Sequence, residues 1–185
     1  MPRAGLTPAA VTRLALEELD EAGPEALTLK AVAARAGVAA PSLYKHVQSI
    51  EHLRDLMTVS VLEEAAAEVG SAVMGRSGLD ALEAFLLAYR GYARRLPHRW
   101  TLMEHPNGAD PAVAAAADRM VQIAYAVVRG FGLTEGEQVD AVRTLRAAVT
   151  GFLALEHDGG YQLARDLDTS FKFLVKVLAK GLVSS

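Results

Sequence analysis

From Thr7 to Leu182 the chain is punctuated for helices, and no stretch alternates apolar with polar residues as a half-buried strand would. Thr7 followed by Pro8 is an N-cap with proline at the first helical position, and Val11, Leu14, Ala15 and Leu19 keep helical spacing until Gly23 and Pro24 stop the run. Thr28 caps a second predicted helix with Leu29, Val32, Ala33 and Ala36 on its apolar face, and Gly37 supplies a turn. A third helix is predicted from Ala40 to His46, and Ser49 caps a fourth from Ile50 to near Val69. The stretch from Gly70 to Gly78 has the glycine and serine content of a hinge. Leu82, Phe85, Leu86, Tyr89 and Ala93 then form an apolar face that ends before Pro97. Asp110 and Pro111 start a long helix reaching about Phe131, and Thr134 with Glu137 makes a capping box for the next, which ends near Gly159 and Gly160. The last predicted helix runs from about Asp166 to Leu182, with Phe171, Leu174, Val175, Leu178 and Leu182 on one side. The expected fold is all-α with about nine helices: a three-helix head over 1–48 and a larger helical body over 49–185, the fourth helix connecting them.

A chain of 185 residues, half of them apolar, can bury a real core. It has no cysteine, so disulfides, thiolate zinc sites and cysteine nucleophiles are excluded, as suits a reducing cytosol. No apolar run approaches the roughly 20 residues of a membrane span, and the N-terminus lacks the basic-then-apolar layout of a secretion signal. The expectation is a cytoplasmic protein with no membrane partner. There is no glycine-rich phosphate loop, G-x-S-x-G elbow or H-E-x-x-H pair, so no enzyme mechanism is nominated and no cofactor is expected. Glu104 with His105 and Glu156 with His157 raise a metal site, but neighbours on a helix point about 100° apart and neither pair is a ready chelate, so no metal is expected.

The formal net charge is −3, which at face value argues against nucleic acid. Its distribution argues otherwise. Between Ala26 and Ile50 the only charges are Lys30, Arg35 and Lys45, whereas Glu17, Glu18, Asp20, Glu21 and Glu25 precede that stretch. Two short helical segments about Gly37, inside a cationic stretch, have the layout of a helix-turn-helix, whose second helix enters the major groove.

Residues 28 to 57, "TLKAVAARAGVAAPSLYKHVQSIEHLRDLM", resemble helix 2, the turn, the recognition helix and the start of helix 4 in the TetR family of transcriptional regulators. Within them "PSLYKHV" places leucine, tyrosine and histidine in the family's spacing. The resemblance covers roughly the first 60 residues, and "LPHRWTLM", 96 to 103, is similar to a segment of one group of the family's bodies. It implies a homodimeric, ligand-responsive repressor that binds double-stranded operator DNA. Carried onto this chain, it puts Ala39, Ala40, Pro41 and Ser42 at base-facing positions, and lets Lys45 reach a base or a phosphate. It gives Tyr44 and His46 phosphate contacts. Thr28, at a helix N-terminus, offers hydroxyl and backbone N–H groups to another phosphate. Ile50 stands where a phosphate-binding lysine is common, and Val47 where an aromatic often follows the histidine. Alanine and proline cannot read guanine or adenine by hydrogen bonds, but their carbons can lie against thymine methyls.

The resemblance also implies an effector pocket in the body without assigning its residues. Phe85, Tyr89, Trp100, Met103, Met120, Tyr125 and Phe152 could line an apolar cavity for a small apolar effector, although large residues at helical spacing are usually core, and that is the better reading of each taken singly. The last two helices, with Val142, Leu145, Val149 and Phe152 on one and Phe171, Leu174, Leu178 and Leu182 on the other, could pair across a two-fold axis as a four-helix dimer interface, Gly151 allowing close approach. The alternative is a helical ligand-binding or interaction protein that has lost DNA binding.

Overall fold

The computed structural model describes residues 6–104 and 110–183. Among them are eight α-helices and no strand: α1 Pro8–Ala22, α2 Leu29–Ala36, α3 Ile50–Val73, α4 Gly78–Arg95, α5 Pro97–Glu104, α6 Pro111–Val128, α7 Glu135–His157 and α8 Leu167–Val183. A 3-10 helix, Ala40–Lys45, lies between α2 and α3 and makes the ninth helical element, besides two short 3-10 turns at Pro24–Ala26 and Arg129–Phe131.

Most helix starts are explained by a local donor count. The first N–H groups of a helix have no intrahelical acceptor, and a short polar side chain at the cap supplies one. Thr7 accepts from Ala10 N–H, Thr28 from Ala31 N–H and Ser49 from His52 N–H, each at 3.1 Å. Asp110 accepts from Ala112 at 2.7 Å, and Asp166 from Thr169 at 2.7 Å. At α7 the full capping box forms: Glu137 N–H reaches Thr134 Oγ1, and the Glu137 carboxylate takes the Thr134 N–H at 2.8 Å. The Thr134 hydroxyl also donates to that carboxylate at 2.7 Å, and this bond, then the one from the Thr134 N–H, holds the Glu137 carboxyl below the usual range.

Three features differ from the sequence expectation. The segment after Gly37 winds as a 3-10 helix rather than an α-helix. The fourth predicted helix, α3, runs through Gly70 to Val73; the left-handed backbone falls at Gly75 (φ 72°), and Gly70 sits within the helix with room for a Cβ only 3.5 Å from Ile123. A helical glycine costs about 1 kcal/mol, which packing overrides. Finally, Pro97 does not merely end α4 but opens α5, in the first-turn position that proline tolerates.

The chain packs as two compact units, Met1–Glu63 with Leu96–Ala117, and Glu64–Arg95 with Asp118–Ser185. In the first, Val11, Ala15 and Leu19 of α1, Val32 and Ala33 of α2, Leu43, Val47, and Leu53 and Met57 of α3 are buried. α5 joins this unit: Arg99 grips both carboxylate oxygens of Asp20 on α1, its closest contact 2.6 Å, and Gly23 lies 3.8 Å from the His98 ring for a would-be Cβ.

The second unit is built on α4, α7 and α8, with Leu82, Leu86, Tyr92, Leu145, Leu153 and Phe171 buried. Its one charged core residue among those described is Arg90, 5 % exposed. Arg90 bonds the two Glu156 oxygens at 2.9 and 2.7 Å and Asp168 at 2.9 Å, and its guanidinium lies 4.7 Å from the Phe171 ring centre. Close approach also decides Gly130, where a Cβ would fall 2.9 Å from the Gly78 backbone nitrogen at the start of α4. Backbone cannot swing aside as a side chain can, so Gly130→Ala is expected to cost about 1–3 kcal/mol. An unchanged urea midpoint would show that α4 can shift its first residue freely.

Candidate nucleic-acid interface

Gly37 makes the turn. It adopts left-handed backbone (φ 67°), its N–H closing on Ala33 and Ala34 carbonyls while Val38 N–H returns to Ala33 at 3.0 Å. The chain then extends for one residue at Ala39 and coils again, with Ser42 N–H on Ala39 and His46 N–H on Leu43, both 2.8 Å. The run is only six residues, Pro41 lacks an N–H, and one side chain, Leu43, anchors it in the core. A short run of this kind suits the tighter 3-10 winding.

That winding sorts the predicted contact residues. With three residues per turn, positions i and i+3 eclipse. Ala40, Leu43 and His46 form the inward row, Leu43 fully buried and the other two half-buried. Ala39, Ser42 and Lys45 form a second row, Ser42 half-buried between two exposed residues, and Pro41 and Tyr44 a third, both exposed, Tyr44 by 60 %. The second row offers a methyl, a hydroxyl and an ammonium; the third an apolar ring and a phenol. Thr28, exposed, uses its oxygen as the α2 cap, which leaves the hydroxyl proton free to donate. Of the eight predicted residues, Ala39, Pro41, Tyr44 and Lys45 are exposed on this segment, Ala40, Ser42 and His46 are half-buried on it, and Thr28 is exposed at the start of the helix before it.

The cationic face is narrower than the sequence suggested. Arg35 is taken up by α1: it bonds Glu18 at 2.8 Å and Glu21 at 2.5 and 3.1 Å. Its hydrogen bonds to Glu21 and then Glu18 raise its pKa further, and the Glu21 carboxyl is held below its usual range by the same guanidinium. Lys30 and Lys45 make no ion pair among the described residues. The acidic run before residue 26 was visible in the sequence; that it would neutralise an arginine of the motif was not, because the partners lie 14 and 17 residues away.

The predicted ligand residues do not form one cluster. Phe85 and Tyr89 stack along α4 with ring centres 6.3 Å apart. Phe152 instead packs against Phe171 and Tyr161, at 5.2 and 5.0 Å. Met120 and Tyr125 are half-buried on α6, and Trp100 and Met103 are buried on α5, in the first unit. A groove of about 490 Å³ opens between α7 and α8, lined by Leu133, Ala141, Leu145, Val177, Leu178 and Leu182 with Glu137 and Asp140, and contains none of the predicted residues. Glu156 of the metal hypothesis is engaged by Arg90, and His105 lies outside the described residues. Among the described residues no helix is long and apolar enough to cross a membrane.

A helix-turn-helix with an outward-facing second segment, followed by an all-helical body, is the build of a helix-turn-helix transcriptional regulator. Comparison with known proteins agrees. Residues 11–57 match the bacterial regulatory proteins of the tetR family, and residues 82–178 the tetracyclin repressor-like C-terminal domain. The chain is 33% identical over 172 residues to the HTH-type transcriptional regulator Rv0681 of Mycobacterium tuberculosis, covering 91% of this chain and 78% of that protein. A Rhodococcus sp. RHA1 protein of unknown function has the same fold, with TM-score 0.85 and 20% identity over 98% of both chains. So does a variant of TetR from Acinetobacter baumannii AYE, solved in complex with minocycline, with TM-score 0.71 and 22% identity over 96% of each chain. The chain belongs to the TetR family of bacterial transcriptional regulators. Members of this family act by binding operator DNA, as dimers that bind small-molecule ligands, and not as enzymes.

Proposed function

We propose that this chain is a cytoplasmic, homodimeric repressor whose Ala39–His46 segment reads an operator and which a small apolar effector releases. The observation that carries the reading is the pair of outer rows on a segment anchored only by Leu43. Tyr44, His46 and Thr28 supply phosphate contacts, which set register, and Ser42 and Lys45 are the polar base readers. Ala39 and Pro41, the exposed apolar residues of the two outer rows, favour operators with thymine methyls at the contacted steps, Ala40 lying on the inward row. Functionally we assign 1–48 to DNA and 49–185 to effector and dimer, with α3 as connector.

Leu145, Val149, Phe152 and Phe171, expected at a dimer interface, are buried in the chain's own core, and two other observations support the assembly. On α8, Phe173 and Val177 are exposed, and the α7–α8 groove offers an apolar bed beside them. A two-fold pairing of these helices would set two heads about one DNA turn, roughly 34 Å, apart. An apolar effector among the body helices, where Phe85 and Tyr89 stack, would act by preferring one head separation, and such differential binding is typically about 1–3 kcal/mol. The minocycline complex of the TetR variant supports a ligand site in a body of this build.

The test is selection of bound fragments from a genomic library, followed by ranking of selected sites with variants. Ser42→Ala and Lys45→Ala should each reorder the sites, by roughly 1–3 kcal/mol at the affected step. If both variants keep the order of sites and merely bind less, the row of Ala39, Ser42 and Lys45 does not read bases.

A further inference from the structure

The turn joining the recognition segment to α3 is held by two hydrogen bonds of His52. Ser49 Oγ accepts from His52 N–H at 3.1 Å, and His52 Nδ1 accepts from Gln48 N–H at 3.1 Å. This is a variant of the capping box: the side chain three residues beyond the cap reaches back to the N–H of the residue before the cap, Gln48, rather than to that of the cap itself, and the acceptor is an imidazole where glutamate or glutamine is usual. The Glu51 carboxyl nearby is held below its usual range by its own backbone N–H and then by the Ser49 side chain. Since Nδ1 accepts, the ring hydrogen in this arrangement is on Nε2.

The place of this cap matters more than its strength. Gln48 is two residues beyond His46, and Val47 between them is buried. The cap therefore fixes the exit of the recognition segment, one turn from Tyr44 and Lys45, at the point where Ile50 offers phosphate no cation. A glutamate in the same role would add a negative charge close to the DNA backbone, whereas the imidazole closes the turn without one.

We infer that His52 is a positioning residue for DNA binding: its Nδ1 bond to Gln48 sets the orientation of Tyr44, Lys45 and His46. The inference rests on the DNA reading above. It is tested with a genomically selected duplex, comparing the unmodified protein, His52→Ala and His52→Gln, with thermal unfolding of each measured alongside. His52→Ala is expected to weaken operator binding on the order of tenfold at a temperature where it remains folded. His52→Gln, which keeps a neutral acceptor, is expected to restore affinity to within about threefold. Unchanged affinity in His52→Ala overturns the inference, as does a glutamine variant as weak as the alanine one, or an affinity loss that merely follows the unfolded fraction. If the unmodified protein binds no selected duplex, the DNA reading itself fails, a result distinct from all of these.

Discussion

Arg90→Ala should destabilise the second unit by about 3–5 kcal/mol, the largest effect expected of any single substitution here. The side chain is 5 % exposed and lies among α4, α7 and α8, where it closes on Glu156 and Asp168 and rests on the faces of Phe171 and, at 5.7 Å, Phe152. Removing it leaves the Glu156 carboxylate, 14 % exposed, without its main counter-charge, and strips two rings of packing. Most of the loss comes from that stranded carboxylate rather than from the attraction itself, because burying both charges already costs nearly what their pairing returns. The double variant Arg90→Met, Glu156→Leu should accordingly recover most of the stability. Urea unfolding of both variants decides it. A single-variant loss under about 1 kcal/mol would place the cluster with ordinary surface ion pairs.

Operator binding should weaken steeply with salt, with a log–log slope of about −5 to −7 for a dimer that neutralises some 6 to 8 phosphates. Within that, Tyr44→Ala should reduce affinity about tenfold for every duplex, selected or not, because a phosphate contact carries no sequence information. Its phenol is 60 % exposed, so the substitution disturbs no core and should leave thermal unfolding almost unmoved. A Tyr44→Ala variant that discriminates among duplexes differently from the parent would make Tyr44 a base reader. A slope near −1 would mean that phosphates contribute little.

What was legible in the sequence follows the range of the forces involved. Caps act over three residues, so Thr7, Thr28, Ser49, Thr134 and Asp110 announced their helices before any tertiary contact was known. The motif around Gly37 was legible for the same reason: one left-handed residue and one buried leucine define it. The winding of Ala40–Lys45 was not, since a six-residue run carries too few apolar positions to separate a period of 3.0 from 3.6. Nor were the pairings of Arg35 with Glu18 and Glu21, Arg99 with Asp20, or Arg90 with Glu156, which span 14 to 79 residues of chain. Nothing in the local sequence around Arg90 distinguishes it from a surface charge on an amphipathic helix, and only the fold shows it turned inward. Gly70 misled because glycine marks a break only when nothing packs on it, and here Ile123 does. The aromatic residues nominated for a ligand pocket share helical spacing with core residues, and the structure distributes them over both units.

The central claim is that the Ala39–His46 segment reads a DNA sequence. It is tested most directly by competition binding at one fixed salt concentration between a genomically selected duplex and a scrambled duplex of the same length and composition. Specific recognition predicts a preference of at least about 10³-fold for the selected duplex, shrinking in Ser42→Ala and Lys45→Ala. Equal affinity of the unmodified protein for the two duplexes would contradict the claim and leave this chain a helical ligand-binding or interaction protein of the TetR fold.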